Sequence, residues 1–125
     1  MFRKSAEVTA MIIIRREQME TFENVAMRAF EDRMLAHLRE NHPDKIQDMN
    51  DEQLLGLIRQ GIRRAETHEV VIEWDVCRYL ELVVLYGLEF DESPETTWAG
   101  EILRSKELDG TGKMDRIGHY ETFCL

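Results

Sequence analysis

Apolar side chains recur at spacings of three and four along most of this chain. The densest stretch is residues 74–87, WDVCRYLELVVLYG, which has no polar interruption between Leu82 and Tyr86. Such spacing lays an apolar stripe along an α-helix. Val76, Leu80, Val83 and Val84 keep the helical period, while Leu82, Leu85 and Tyr86 carry apolar surface round to the other side. A helix of that kind packs on more than one neighbour, so this one is expected at the centre of the fold.

The flanking segments are weaker but of the same type. Met19, Phe22, Ala26, Ala29, Phe30, Met34 and Leu38, with charged residues between them, predict an amphipathic helix over residues 16–41. Arg39 suits its C-terminal end, and Asn41-His42-Pro43 stops it, because a residue before proline avoids the helical region. A polar connection is expected over residues 44–49. Asn50 followed three places later by Gln53 then has the form of a reciprocal capping box. It opens a second helix whose stripe is Leu54, Leu55, Ile58, Ile62 and Ala65. Gly56 and Gly61 each weaken that helix by roughly 1 kcal/mol relative to alanine, so their presence points to close approach of a neighbour.

His68-Glu69 reads as a break, and Val70-Val71-Ile72 is a β-branched triplet leading into the central helix. The similar run at residues 11–14 is expected as an apolar arm or as one half of a very small β pairing with that triplet. After Gly87, placed for the positive φ that follows a helix, Ser93-Pro94-Glu95 supplies a cap, a proline at the first helical position and an acid in the first turn. A shorter helix ending near Leu108 should point Trp98, Ile102 and Leu103 inward. Residues 109–112 read as a turn. The expected fold is therefore all-α, a compact bundle of about four main helices round the central one. Residues 1–10 form an N-terminal extension, residues 11–108 the helical domain, and residues 109–125 a tail that docks as a last turn through Met114, Ile117, Tyr120 and Phe123 or stays mobile.

Composition narrows the function classes. The 125 residues are 43% apolar and 33% charged, as in a folded domain, and carry a formal charge of -9. That charge opposes general affinity for nucleic acid or an anionic membrane and favours a protein partner with a basic or apolar patch. Cys77 lies inside the apolar helix and Cys124 is next to last, a pattern of neither a disulfide framework nor a zinc site, which fits a reducing cytosol. Residues 11–14 are too short for a signal core or a membrane span.

Candidate chemistry is sparse. His37, His42, His68 and His119 include no pair at the i, i+4 spacing of a helical metal site. Residues 109–115 resemble a calcium loop only briefly, lacking glycine at the sixth place and having Tyr120 where a bidentate glutamate belongs. Cys77 reads as a small buried hydrophobe rather than a nucleophile, and Glu17, Glu20, Glu23, Glu73 and Asp75 as a solvated face. No phosphate-cradling glycine loop or nucleophile elbow is present. The expectation is no enzyme, no metal and no cofactor. Arg78 and Glu81, charged on a largely apolar helix, are expected on its one polar edge. Trp74 and Trp98, with Phe90 and Tyr86, either close the end of the bundle or face a partner. Leu82, Leu85, Tyr86, Phe90 and Trp98 are the residues best suited to a partner contact.

One set of short patterns adds a family resemblance: IRREQM at 14–19, FEDRM at 30–34 with His37-Leu38-Arg39, DVCRYL at 75–80, and Phe90-Asp91 with Pro94 and Trp98-Ala99. Over residues 11–103 the chain resembles a family of small bacterial proteins associated with type VI secretion gene clusters. The resemblance implies a non-enzymatic cytosolic adaptor or co-chaperone that holds a secreted effector, or a partner chaperone, before loading; a homo- or heterodimer is among the expected assemblies. Within the same setting, the alternative is an immunity protein that uses an acidic surface to occlude a basic toxin such as a nuclease. A third class is an enzyme with a site between helices, for which Glu17, His37 and Asp75 are the first suspects.

Overall fold

The computed structural model describes residues 21–125 of the chain. Expectations placed on residues 1–14, on Glu17, Met19 and Glu20, and on the side chains of Phe22 and Glu23 lie outside that description. The described chain is all-α, with six helices: α1 (Thr21–Asn41), α2 (Pro43–Ile46), α3 (Asp51–Thr67), α4 (Glu73–Tyr86), α5 (Thr97–Leu103) and α6 (Gly110–Phe123). A 3₁₀ turn, Pro94–Thr96, precedes α5. No strand occurs among the described residues; Ile72 makes an isolated bridge just before α4.

Several boundaries follow local chemistry as expected. The Asn50 side chain accepts from the Gln53 backbone N–H at 2.7 Å, and the Gln53 side chain accepts from the Asn50 N–H at 3.0 Å. This capping box starts α3. Gly87 ends α4 at φ 105°, a conformation that side chains resist. Ser93 accepts from the Glu95 N–H at 3.2 Å.

Three expectations need correction. The connection after α1 is not wholly polar loop: Pro43 sits at the start of a helical turn that buries Ile46. The helix after Ser93 ends at Leu103 rather than near Leu108. The segment expected as a tail is a helix of 14 residues, started by Asp109, whose carboxylate accepts from the Gly112 N–H at 2.7 Å. Met114 and Ile117 are each 1% exposed, so burial holds α6 against the bundle.

The core runs between α1, α3 and the inner face of α4, with Phe30, Met34, Leu38, Leu54, Ile58, Tyr79 and Leu80 among its members. Gly61 lets α3 and α4 approach closely: a Cβ there would lie 2.5 Å from Leu80 Cδ2. Gly56 meets nothing within 4 Å. Gly110 abuts the backbone of Glu69, so α6 can start only where no side chain intervenes.

Polar links set the helix directions. Thr111 donates to Asp75 at 2.6 Å, Arg78 to Asp115 at 3.1 Å, and Tyr86 to Glu121 at 3.1 Å. The separation in sequence stays near 36 residues along these pairs, so α6 runs parallel to α4. Arg33 to Glu73 and His37 to Glu81 tie α1 to the other flank of α4 in the same sense, each at 2.7 Å. The α3–α4 connection is short and makes an antiparallel pair. Thus α4 lies against α3 with α1 on one side and α6 on the other.

Candidate functional site

With α3 behind it, α4 buries Val76, Tyr79, Leu80 and Val83. Helical geometry then turns Trp74, Arg78, Glu81 and Leu85 outward along one stripe. Trp74 is 70% exposed and Leu85 37%. Arg78 and Glu81 do not stand free on a polar edge. Arg78 donates to the Met114 carbonyl at 2.6 Å and to Asp115, and Glu81 meets His37 at 2.7 Å and His42 at 3.6 Å. The charged pair therefore straps the flanking helices to α4. The central helix is enclosed on three sides, not four.

At its C-terminal end the stripe merges with an aromatic cluster. The Trp98 ring from α5 stacks on Tyr120 from α6, with centroids 4.6 Å apart and planes 5° from parallel. Tyr86 meets Trp98 edge-on at 6.0 Å. The Tyr86 hydroxyl donates to Glu121, and its pKa is raised above the ordinary tyrosine value, first by burial and then by that hydrogen bond and the Glu121 charge. Leu85 and Phe123, the latter 71% exposed, are further exposed apolar side chains near the C-terminal ends of α4 and α6, Leu85 in a cleft with Gly118 and Glu121 and Phe123 against the His119 ring. Glu89, three residues beyond Tyr86, and Glu101, one turn beyond Trp98, are exposed acids.

Of the five residues singled out from the sequence, the cluster contains Tyr86 and Trp98, and Leu85 is among the exposed apolar side chains. Leu82 and Phe90 are a correction: they are 4% and 1% exposed and belong to the core, because Leu82 faces the α6 flank and Phe90 packs on Tyr79 with ring centroids 5.0 Å apart. Tyr120 and Phe123 stand outside those five; the sequence placed both only among the apolar residues by which the tail would dock. Their signal was apolar spacing in a segment not expected to form a long helix.

Of the enzyme suspects, the two described, His37 and Asp75, are not brought together. His37 engages Glu81, whereas Asp75 accepts from Thr111, and Glu17 lies outside the described residues. A different acid and histidine do converge, Asp91 and His68 at 2.8 Å, but Arg64 holds the second Asp91 oxygen at 2.8 Å. Asp91 is 3% exposed. Burial alone would raise its pKa; hydrogen bonds from Arg64 and His68, with their charges, outweigh burial and hold it below the ordinary carboxylate value. The neighbouring groove, lined by His68, Arg104 and Lys113 among others, is open. Lys113 donates to the His68 carbonyl at 2.9 Å, where a cation suits the C-terminal end of α3. This cluster is a satisfied buried network joining α3, α6 and the segment before α5.

Cys77 is half-buried, its thiol pushed up to about 11 by burial and by the charges of Glu81 and Glu73, the opposite of an activated nucleophile. Among the described residues, no group of three or more His, Cys, Asp or Glu is placed to hold a metal ion, and no helix is long and apolar enough to cross a membrane. Comparison with known proteins adds no relative: no family model, curated protein or solved structure matches this chain.

Proposed function

We propose that this chain is a non-enzymatic protein-binding module, an adaptor or co-chaperone that holds a type VI secretion effector, or that effector's chaperone, in the cytosol before loading. The observation that carries the reading is the cluster of Tyr86, Trp98 and Tyr120, with exposed Leu85 and Phe123 near the same ends of α4 and α6. Three helices converge there to present aromatic rings at the rim of the fold. Aromatic side chains on a rigid support are the usual anchors of protein recognition, because they bury much area at little entropic cost. The family resemblance of residues 11–103 supplies the biological setting. The occupant that suits the surface is a polypeptide with an aliphatic anchor flanked by basic residues, since Glu121 bonds Tyr86 and the exposed Glu89 and Glu101 follow Tyr86 and Trp98 three residues on.

The test is capture of the tagged protein from its native host at low and high salt, with the co-purifying chain identified. An effector or effector chaperone retained at high salt is the expected result. A basic toxin that dissociates at high salt assigns the immunity role instead, through the -9 charge of the chain. Recovery of neither contradicts the reading.

A further inference from the structure

The Asp91 carboxylate is fully engaged, but the lysine beside its network is not matched in charge. Lys113, on α6, is 5% exposed and is the one buried cation among the described residues. Arg33, Arg39, Arg59, Arg64 and Arg78, all more exposed, each pair with a carboxylate. Among the described residues Lys113 pairs with none, and its ammonium donates to the His68 carbonyl at 2.9 Å. That carbonyl ends α3, where the helix dipole supplies about half a negative charge, and it takes one of three ammonium protons. Half a charge and two donors remain to be matched, and a buried cation left so is costly.

Lys113 is also part of the wall of the open groove formed by the ends of α3 and α5 and the start of α6, about 640 Å³ in volume. Arg104 and Lys106 line the same groove. Arg104 donates to the Asp91 backbone carbonyl at 3.0 Å, and neither side chain has a carboxylate partner among the described residues. Glu69 is the one acid on the wall. Of the acids close by, Asp91 is matched by Arg64, and the Asp109 carboxylate is taken up by the Gly112 N–H. The lining therefore sets three cations against one anion, within a chain of charge -9.

We propose that this groove binds a phosphate dianion, free or as the phosphoryl group of a small molecule. Such a group carries about -1.5 to -2 charge at pH 7 and three strong acceptor oxygens, which answer the surplus charge and the donors of Arg104, Lys106 and Lys113. A carboxylate, with a single charge, leaves that surplus only partly matched. Leu108 adds apolar wall for an attached organic group, and the volume lies within the roughly 300–1,000 Å³ of small-molecule sites. The net charge of the chain repels anions at long range, so the affinity is expected to be millimolar.

The test follows amide chemical shifts of the full chain by nuclear magnetic resonance as inorganic phosphate is added to about 20 mM, enough to saturate a millimolar site, with sodium chloride holding the ionic strength constant. Saturable shifts centred on residues 67–69 and 103–113 are expected. Lys113→Met keeps the length of the side chain without its charge and should weaken binding at least about tenfold. Lys106→Gln, at an exposed position that leaves the fold intact, should weaken it about two- to fivefold. Phenyl phosphate separates the two sources, since tighter binding than inorganic phosphate assigns a monoester, and equal or weaker binding the free ion. Absence of saturable shifts with both probes overturns the proposal, as does binding undiminished in either folded variant.

Discussion

Tyr79 and Asp91 show how single residues are held in this fold. Tyr79 is 0% exposed and its hydroxyl has no hydrogen-bond partner. Burial and the charge of Asp91 raise its pKa far above the ordinary tyrosine value, with Arg64 opposing. A buried, unsatisfied hydroxyl costs about 1 kcal/mol or more, so Tyr79→Phe should leave urea stability unchanged or raise it. Asp91 is the opposite case. Removing its charge with Asp91→Asn leaves Arg64, itself partly exposed, with only the exposed Glu92 at 3.3 Å as counter-charge and should cost about 1–3 kcal/mol, read from the same urea transition. Its depressed pKa gives the pH dependence a sign. The stabilisation is complete above the unfolded carboxylate value of about 3.9 and is lost as pH falls through the lower folded value. Below pH 4 the wild type should therefore lose stability more steeply than Asp91→Asn, and equal slopes would remove Asp91 from the acid transition.

At the scale of elements, the two glycines of α3 separate intrinsic propensity from packing. Gly61 has no room for a methyl group against Leu80, so Gly61→Ala should cost about 1–3 kcal/mol as Leu80 is displaced. Gly56 has open space, and Gly56→Ala should stabilise by up to about 1 kcal/mol, since alanine is the better helix former. Thermal melts of the two variants should move in opposite directions. This contrast also marks what was legible in the sequence. The α3 cap at Asn50 and Gln53, the stop at Pro43 and the close approach at one of the glycines could be read, because each depends on a few adjacent residues. The length of α6 could not. Gly110 and Gly112 lower local helix propensity, and the compensating terms are distant: contact with Glu69, the Arg78 bond to the Met114 carbonyl, and burial of Ile117. For the same reason the period of α4 placed Leu82, Leu85 and Tyr86 together on apolar surface without saying which would be covered. That depends on where α6 docks, and α6 takes Leu82 into the core and brings Tyr120 to Trp98.

For the whole molecule, the bundle encloses its most apolar helix on three sides and leaves the fourth as a stripe with Trp74 at one end and Leu85 at the other. The proposed partner contact lies at the Leu85 end, so substitution there and at Trp74 should have separable effects. The most direct test of the central claim compares capture of the native partner by wild type, by the double variant Leu85→Ser with Tyr86→Ser, and by Trp74→Ala. Leu85 and Tyr86 are 37% and 38% exposed, which makes polar replacement tolerable to the fold, and melting temperatures check that. The double variant should lose the partner by at least about tenfold, the 1.4 kcal/mol or more expected of an aromatic anchor, while Trp74→Ala retains it. Undiminished capture by a folded double variant would contradict the claim.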